Sequence, residues 1–402
     1  MTREAAIVST ARTPIGKAHR GAFNATMPDR LNAHVMDAAL DRAGIDPERV
    51  QDVYWGCGNQ YGPQFYNLGR MSVFGSKLPQ GVPAMTLDRK CASGLTTVAL
   101  AARSIMAGDA DVILAGGGES ISLTMVPGIV GENWRSPNVL EHEPDAYMAM
   151  IETAEIVADR YDVSREAQDR FAAESQQRAA AATEAGRLAD EIVPLETEKV
   201  IRAKDGSETG RETVTLEADE GIRAGTTYEA LAGLNPVFKD GAKVKEGKYI
   251  TAGNASQLSD GAAAQVLMDR ETAEAEGRDI LGIFRGFAAA GCAPDEMGIG
   301  PVFAIPKLLD RAGLSVGDIG LWEINEAFAS QALYCRDFLG IDPDKLNVNG
   351  GAIAIGHPFG MTGSRLVGSV LLEARRRGER YAVVSMCVAG GMGAAGLFEI
   401  PA

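Results

Sequence analysis

LDRAG stands at Leu40–Gly44 and again at Leu309–Gly313, so that position 40 meets position 309 at an offset of 269 residues. Each copy closes a helix-patterned stretch, PDRLNAHVMDAALDRAG first and AIPKLLDRAG second. A short polar turn follows each, and then an apolar strand: VYWG from Val53 and LWEI from Leu321, 268 apart. Further on, AGDADVILAGG and RGERYAVVSMC align from Gly108 and Gly378, 270 apart. One five-residue match is within chance. Three units in the same order, at offsets within one residue of 269, are an internal repeat.

The repeat predicts two α/β halves, because helix patterns alternate with short buried strands such as AAIVST, DVILAGG and AVVSMC. Between the copies lies different sequence: a polar, Ala-rich helix pattern, SREAQDRFAAESQQRAAAATEAG, then Lys-, Glu- and Gly-rich sequence read as loop. TAGNASQLSDGAAAQVLM, from Thr251, returns to buried-strand character. The expected division is residues 1–119 with 251–277 as the first half, 120–250 as an insertion, and 278–402 as the second half.

Composition narrows the function. The 402 residues carry 54 acidic and 39 basic side chains, a net charge of −15, which argues against nucleic acid and anionic membrane as partners. No segment reaches the ~18 consecutive apolar residues of a membrane helix. The N-terminal MTREAAIVSTARTP lacks a basic-then-apolar signal pattern and reads as a first strand. Five cysteines without a Cys-x-x-Cys pair predict free thiols and a reducing, cytoplasmic setting.

Of the four histidines, His19, His34 and His142 read as turn, helix and solvated-loop residues, and no metal site is expected. His357 differs: it lies in NVNGGAIAIGHPFGMTG, where flanking glycines let a titratable ring approach a ligand. Cys91 follows the strand-like VPAMTLD and opens a helix pattern, beside Arg89 and Lys90. A helix N-terminus and two cations are the conditions that lower a thiol pKa; a buried structural Cys is the equal alternative. Cys387 ends the strand AVVSM among glycines. The run Gly391-x-Gly393-x-x-Gly396 formally matches a dinucleotide fingerprint, but it leads into LFEIPA with no helix to hold a pyrophosphate, so a Rossmann-type dinucleotide site is rejected.

The sequence resembles the thiolase family along nearly its whole length. The resemblance rests on DRKCASGLTTVALAARSI around Cys91, TAGNAS at Thr251, NEAF at Asn325, NVNGGAIAIGHPFGMTG around His357 and AVVSMCVAGGMGAA around Cys387. It implies a five-layer αβαβα sandwich of two repeated halves with an inserted loop domain. It implies acyl transfer between a thiol and a carbon: thiolysis of a 3-oxoacyl-CoA by CoA, or the reverse condensation, with CoA and acyl-CoA as substrates and no permanently bound cofactor or metal.

By the same resemblance Cys91 is the acyl-carrying nucleophile, His357 takes its proton, and Cys387 is the acid/base at the α-carbon. Such chemistry needs a nucleophile, its base, and a second proton carrier. Two oxyanion sites are implied, one from His357 with a water held by Asn325, the other from the backbone N–H groups of Cys91 and Ala389. Ser256 and Ala252 match pantetheine-lining positions; Met150, Ala327 and Phe328 match acyl-pocket positions; Arg223 matches a basic residue near the nucleotide end of CoA. Lys239, Lys243, Lys245 and Lys248 are either a solvated face or further phosphate contacts.

Four positions depart from the family pattern: Asp88 in place of Asn or another small polar residue, Ala389 in place of Gly, and Ala149 and Ile151 around Met150 in place of His and Gly. The last weakens acetoacetyl-CoA specificity, and SQLSDG resembles degradative members. A decarboxylating ketoacyl synthase leaves Cys387 unexplained, and a non-catalytic lipid- or CoA-binding relative should have lost a reactive residue. A homodimer or homotetramer is expected.

Overall fold

The computed structural model describes residues 3–401. Its strands, in chain order, are β1 (Ala5–Arg12), β2 (Gly16–Lys17), β3 (Asp52–Gly56), β4 (Ala84–Leu87), β5 (Val112–Ser120) and β6 (Leu195–Arg202). They continue with β7 (Glu208–Leu216), β8 (Ser259–Asp269), β9 (Gly282–Gly291), β10 (Leu321–Ile324), β11 (Tyr381–Val388) and β12 (Met392–Glu399).

The main sheet runs β10-β11-β12-β9-β1-β8-β5-β3-β4, with β2 on β8. Its midpoint is a thin seam, where β1 meets β9 through Ala6↔Ile283 and Ile7↔Gly282. Outward from the seam the halves repeat: β1-β8-β5-β3 on one side and β9-β12-β11-β10 on the other. Even the next position is echoed, since β4 runs parallel to β3 and Leu346 bridges in parallel to Trp322 of β10.

The LDRAG repeat is a helix end. Helices Pro28–Ala43 and Pro301–Ala312 each stop at a left-handed glycine, Gly44 (φ 61°) and Gly313 (φ 67°), whose N–H returns to carbonyls of the last turn. A 3-10 turn follows each, Pro47–Arg49 and Val316–Asp318, and then β3 or β10.

Side-chain alternation along the strands separates the layers. Ile7, Ile113, Ala115, Leu321, Ala382 and Val384 face an inner core shared with helices Ser93–Ala107 and Phe359–Arg377. Ala6, Val8, Val112 and Leu114 face the outer helix Pro28–Ala43, while Trp322 and Val383 face the helix Pro301–Ala312. Outer helices, first half-sheet, inner helix pair, second half-sheet and outer helices make the five layers of the αβαβα sandwich.

The stretch between β5 and β8 holds helices Met150–Arg160 and Arg165–Glu184, the latter capped by Ser164. It also holds the antiparallel hairpin β6-β7, where the sequence reading expected only loop. Charged residues populate both faces of β7, and that masked its alternation.

Candidate active site

Cys91 is carried by a strained turn. β4 ends at Leu87, and Lys90–Ala92 form a 3-10 turn ahead of the helix Ser93–Ala107. Lys90 adopts φ 44°, a left-handed conformation uncommon outside glycine. Asp88 Oδ1 accepts from the Lys90 N–H at 2.6 Å, and Ser93 Oγ accepts from the Arg89 N–H at 2.8 Å. The turn packs against both β11 and the helix Phe359–Arg377, which brings Cys91 to the other sequence candidates.

Of the two settings left open for the Cys91 thiol, burial prevails over the helix end and the two cations. Burial pushes it up to about 12, outweighing the backbone N–H groups of Ala389 and of Cys91 itself, which favour the thiolate. Both neighbouring cations are engaged elsewhere. Lys90 Nζ lies 2.6 Å from Asp88 Oδ2 and donates to the Gly58 carbonyl at 2.9 Å. The Arg89 guanidinium lies 5.4 Å from the centroid of the Phe287 ring. Asp88 therefore acts by neutralising Lys90, and Cys91 at rest is a neutral thiol.

His357 sits between helices Ala352–Ile355 and Phe359–Arg377, after Gly356. Gly356 has φ 112°, and a Cβ there would lie 2.4 Å from Ser259 Oγ, so only glycine makes this turn. Thr362 Oγ1 donates its proton to the Pro358 carbonyl at 2.8 Å. Its contact with His357 Nδ1, at 2.7 Å, must then have the ring N–H as donor. That leaves Nε2 unprotonated, facing the Asn325 Nδ2 amide at 3.3 Å. Burial, reinforced by the charge of Arg365, pushes the ring pKa down to about 3. His357 is thus a neutral imidazole with its basic nitrogen directed into the site.

Asn325 follows β10 and is fixed by its own N–H, which donates to the Ser385 carbonyl of β11 at 2.9 Å. Its Oδ1 is buried with no hydrogen-bond partner among the described residues. Two residues beyond Ser385, Cys387 is fully buried and stands opposite Gly393 of β12. The glycine fingerprint is therefore a β-hairpin, turning through Gly390 (φ 84°) and Gly391 (φ 79°). Burial raises the Cys387 thiol, with the neighbouring Cys91, Cys335 and Cys292 sulphurs adding to the effect.

An apolar cluster surrounds Cys387: Met297 and Ala327, with Met150 and Phe328 packed against them. All three acyl-pocket candidates are therefore here. The Ser256 N–H donates to the Ala327 carbonyl at 2.9 Å, and Ala255 bridges to Phe328, tying the TAGNAS and NEAF segments together. Arg223 and Ala252 line one cleft with Gly221, Gln257 and Ile353. Two of the four lysines are occupied by their own surroundings: Lys243 pairs with Asp145 and Asp295, and Lys245 Nζ donates to the Gly241 carbonyl at 2.6 Å.

Sequence reasoning missed four residues here. Thr362 sets the His357 tautomer, Met297 packs on Cys387, and Gln331 Oε1 lies 3.4 Å from its sulphur. Glu119 is fully buried and accepts from the backbone N–H groups of Gly58 (2.8 Å), Asn59 (3.2 Å) and Gly360 (2.9 Å), pinning the loop after His357. A lone carboxylate in the apolar run VILAGGGES was the one available signal.

The family pattern described as the thiolase N-terminal domain matches residues 5–271, and that of the thiolase C-terminal domain matches residues 278–400. The chain belongs to the thiolase family. It is accordingly an acyltransferase, and the resemblance carried by the five motifs is established over the whole chain. It is 48% identical over 401 residues to a 3-ketoacyl-CoA thiolase of Bacillus subtilis, covering 99% of this chain and 100% of that one. It is 46% identical to the peroxisomal 3-ketoacyl-CoA thiolase 1 of Arabidopsis thaliana, covering 98% and 87%. Among solved thiolases, the human mitochondrial 3-ketoacyl-CoA thiolase in complex with CoA superposes with a TM-score of 0.86 at 35% identity, covering 100% and 98%. The dimeric peroxisomal thiolase of Saccharomyces cerevisiae gives 0.86 at 36% identity, with the same coverage.

Proposed function

We propose that this thiolase cleaves 3-oxoacyl-CoA with CoA through an acyl group carried on Cys91, and runs the reverse condensation by the same residues. The observation that carries the reading is the meeting of three segments: the Cys91 turn, the Asn325–His357 pair, and Cys387 at the end of β11. The 3-ketoacyl-CoA thiolases similar to it support the substrate class, as does the apolar cluster of Met150, Met297 and Phe328.

The proton inventory closes. Cys91 gives its proton to His357 Nε2 as its sulphur attacks the 3-oxo carbon. The bond between the α- and 3-oxo carbons then breaks, and the acetyl-CoA enolate takes the Cys387 proton. CoA enters, its S–H proton passes to the Cys387 thiolate, and its sulphur attacks the acyl group on Cys91. Cys91 leaves as thiolate and recovers its proton from His357. The Cys91 and Ala389 N–H groups serve one developing oxyanion; His357, once protonated, and a water on Asn325 Oδ1 serve the other. The cleft of Arg223 and Ala252, continuous in sequence with Ser256, receives the pantetheine and nucleotide of CoA.

Residues 1–119 with 251–277, 120–250 and 278–402 remain the proposed units. A homodimer is supported by β4, an outermost strand of the main sheet, flanked by the exposed Phe65, Tyr66 and Phe74. Five free cysteines support a cytoplasmic setting. The test of the central reading is peptide mass spectrometry after incubation with a 3-oxoacyl-CoA, with turnover of Cys91→Ser alongside. An acyl adduct on Cys91 and a folded, inactive variant are expected; an adduct elsewhere, or an active variant, overturns it.

A further inference from the structure

Among the described residues, the Cys387 thiol hydrogen-bonds to one side chain, and that side chain is neither Cys91, His357 nor Asn325. Gln331, on the helix Ala329–Leu339, is fully buried and places Oε1 3.4 Å from the Cys387 sulphur, in position to accept its S–H. The other end of the same amide, Nε2, is buried with no hydrogen-bond partner among the described residues. Gly298 makes this seat: a Cβ at that position would lie 2.7 Å from Gln331 Cβ. Burying an unpaired amide N–H₂ is unfavourable, and an apolar side chain of similar shape would fill this space without that cost.

The thiol beside it changes state in every turnover. When the enolate carbon takes the Cys387 proton, the S–H bond breaks, a C–H bond forms, and the electron pair stays on sulphur. When CoA arrives, its S–H proton restores the thiol. An S–H needs an acceptor, and a buried thiolate needs a donor. A carboxamide offers both ends in one planar shape, exchanged by a half-turn about its last torsion. We propose that Gln331 is the positioning residue for Cys387, accepting from the thiol through Oε1 and donating to the thiolate through Nε2–H.

This rests on the reading of Cys387 as the carbon acid/base, and the experiment separates the two. Two rates are measured on one preparation: exchange of the acetyl-CoA α-protons for deuterium, and acetylation of Cys91 by acetyl-CoA. Gln331→Met and Gln331→Leu should slow exchange about 10- to 100-fold, the range for a hydrogen bond to a charged group. Cys91 acetylation and the melting temperature should stay near wild type. Gln331→Glu, which presents a second anion, should move the exchange pH profile upward, because thiolate formation becomes harder. Unchanged exchange in both apolar variants, or exchange and acetylation falling by one common factor, overturns the proposal. Cys387→Ala is the control. If it still exchanges at the wild-type rate, the reading of Cys387 itself fails; if it does not, while both apolar Gln331 variants exchange at the wild-type rate, only the role of Gln331 fails.

Discussion

His357 Nδ1 lies 2.7 Å from Thr362 Oγ1, and that hydroxyl has already committed its proton to the Pro358 carbonyl. One threonine on the first turn of the helix Phe359–Arg377 therefore decides which ring nitrogen is the base. A methyl group in place of the hydroxyl removes the acceptor and lets the ring turn or change tautomer. Thr362→Val should slow Cys91 acylation and carbon–carbon cleavage together, by about 10- to 100-fold, while Thr362→Ser restores most of the rate. Equal losses in the valine and serine variants would assign Thr362 to packing alone.

The Cys91 thiol is held high by burial, and this has a measurable sign. Inactivation of the free enzyme by iodoacetamide at Cys91 should keep rising with pH through 9, the ordinary thiol value, towards about 12. A plateau with a midpoint below about 8 would mean a pre-formed thiolate. The linkage runs the same way: between 9 and about 12 the unfolded chain loses this proton and the folded chain keeps it, so the contribution to stability declines as pH rises across that window. Asp88→Asn should raise the alkylation rate at fixed pH by freeing the Lys90 charge.

Glu119 joins the loop at Gly58–Asn59 to the Gly360 N–H beyond His357. Glu119→Ala leaves three buried backbone donors without an acceptor and should cost about 3 kcal/mol or more, read from urea unfolding midpoints. Glu119→Gln, which keeps one acceptor oxygen, should cost less. Equal stability of the alanine variant and the wild type would show that water or a shifted loop satisfies these donors.

The fold was legible because its determinants are local and repeated. LDRAG encodes a helix end whose left-handed glycine has a visible signature, and the buried strands announce themselves as apolar runs. The β6-β7 hairpin was hidden because charged residues stand on both faces of β7, so its alternation shrinks to TVTL, where the half-buried Val214 and Leu216 were the one signal. The candidate residues that the fold brings together, Cys91, Asn325, His357 and Cys387, were legible as motifs. Their electrostatics were not: Arg89 and Lys90 adjoin Cys91 in sequence, but Phe287 and Asp88 decide where their charges go. Gln331 and Thr362 act through contacts with Cys387 and His357 that no sequence period records.

The most direct measurement concerns Cys387→Ala. Acyl transfer to Cys91 needs Cys91, His357 and an oxyanion site, whereas proton exchange at the acetyl α-carbon needs Cys387. The variant should therefore still form the acyl-enzyme from acetyl-CoA, yet lose α-proton exchange and carbon–carbon bond formation by the ~10²–10⁴-fold of a general acid/base. Both rates are followed on one sample in deuterated buffer, by mass spectrometry of the Cys91 peptide and of acetyl-CoA. Acyl-enzyme with exchange abolished is the predicted result; exchange at the wild-type rate would remove Cys387 from the chemistry and contradict the account.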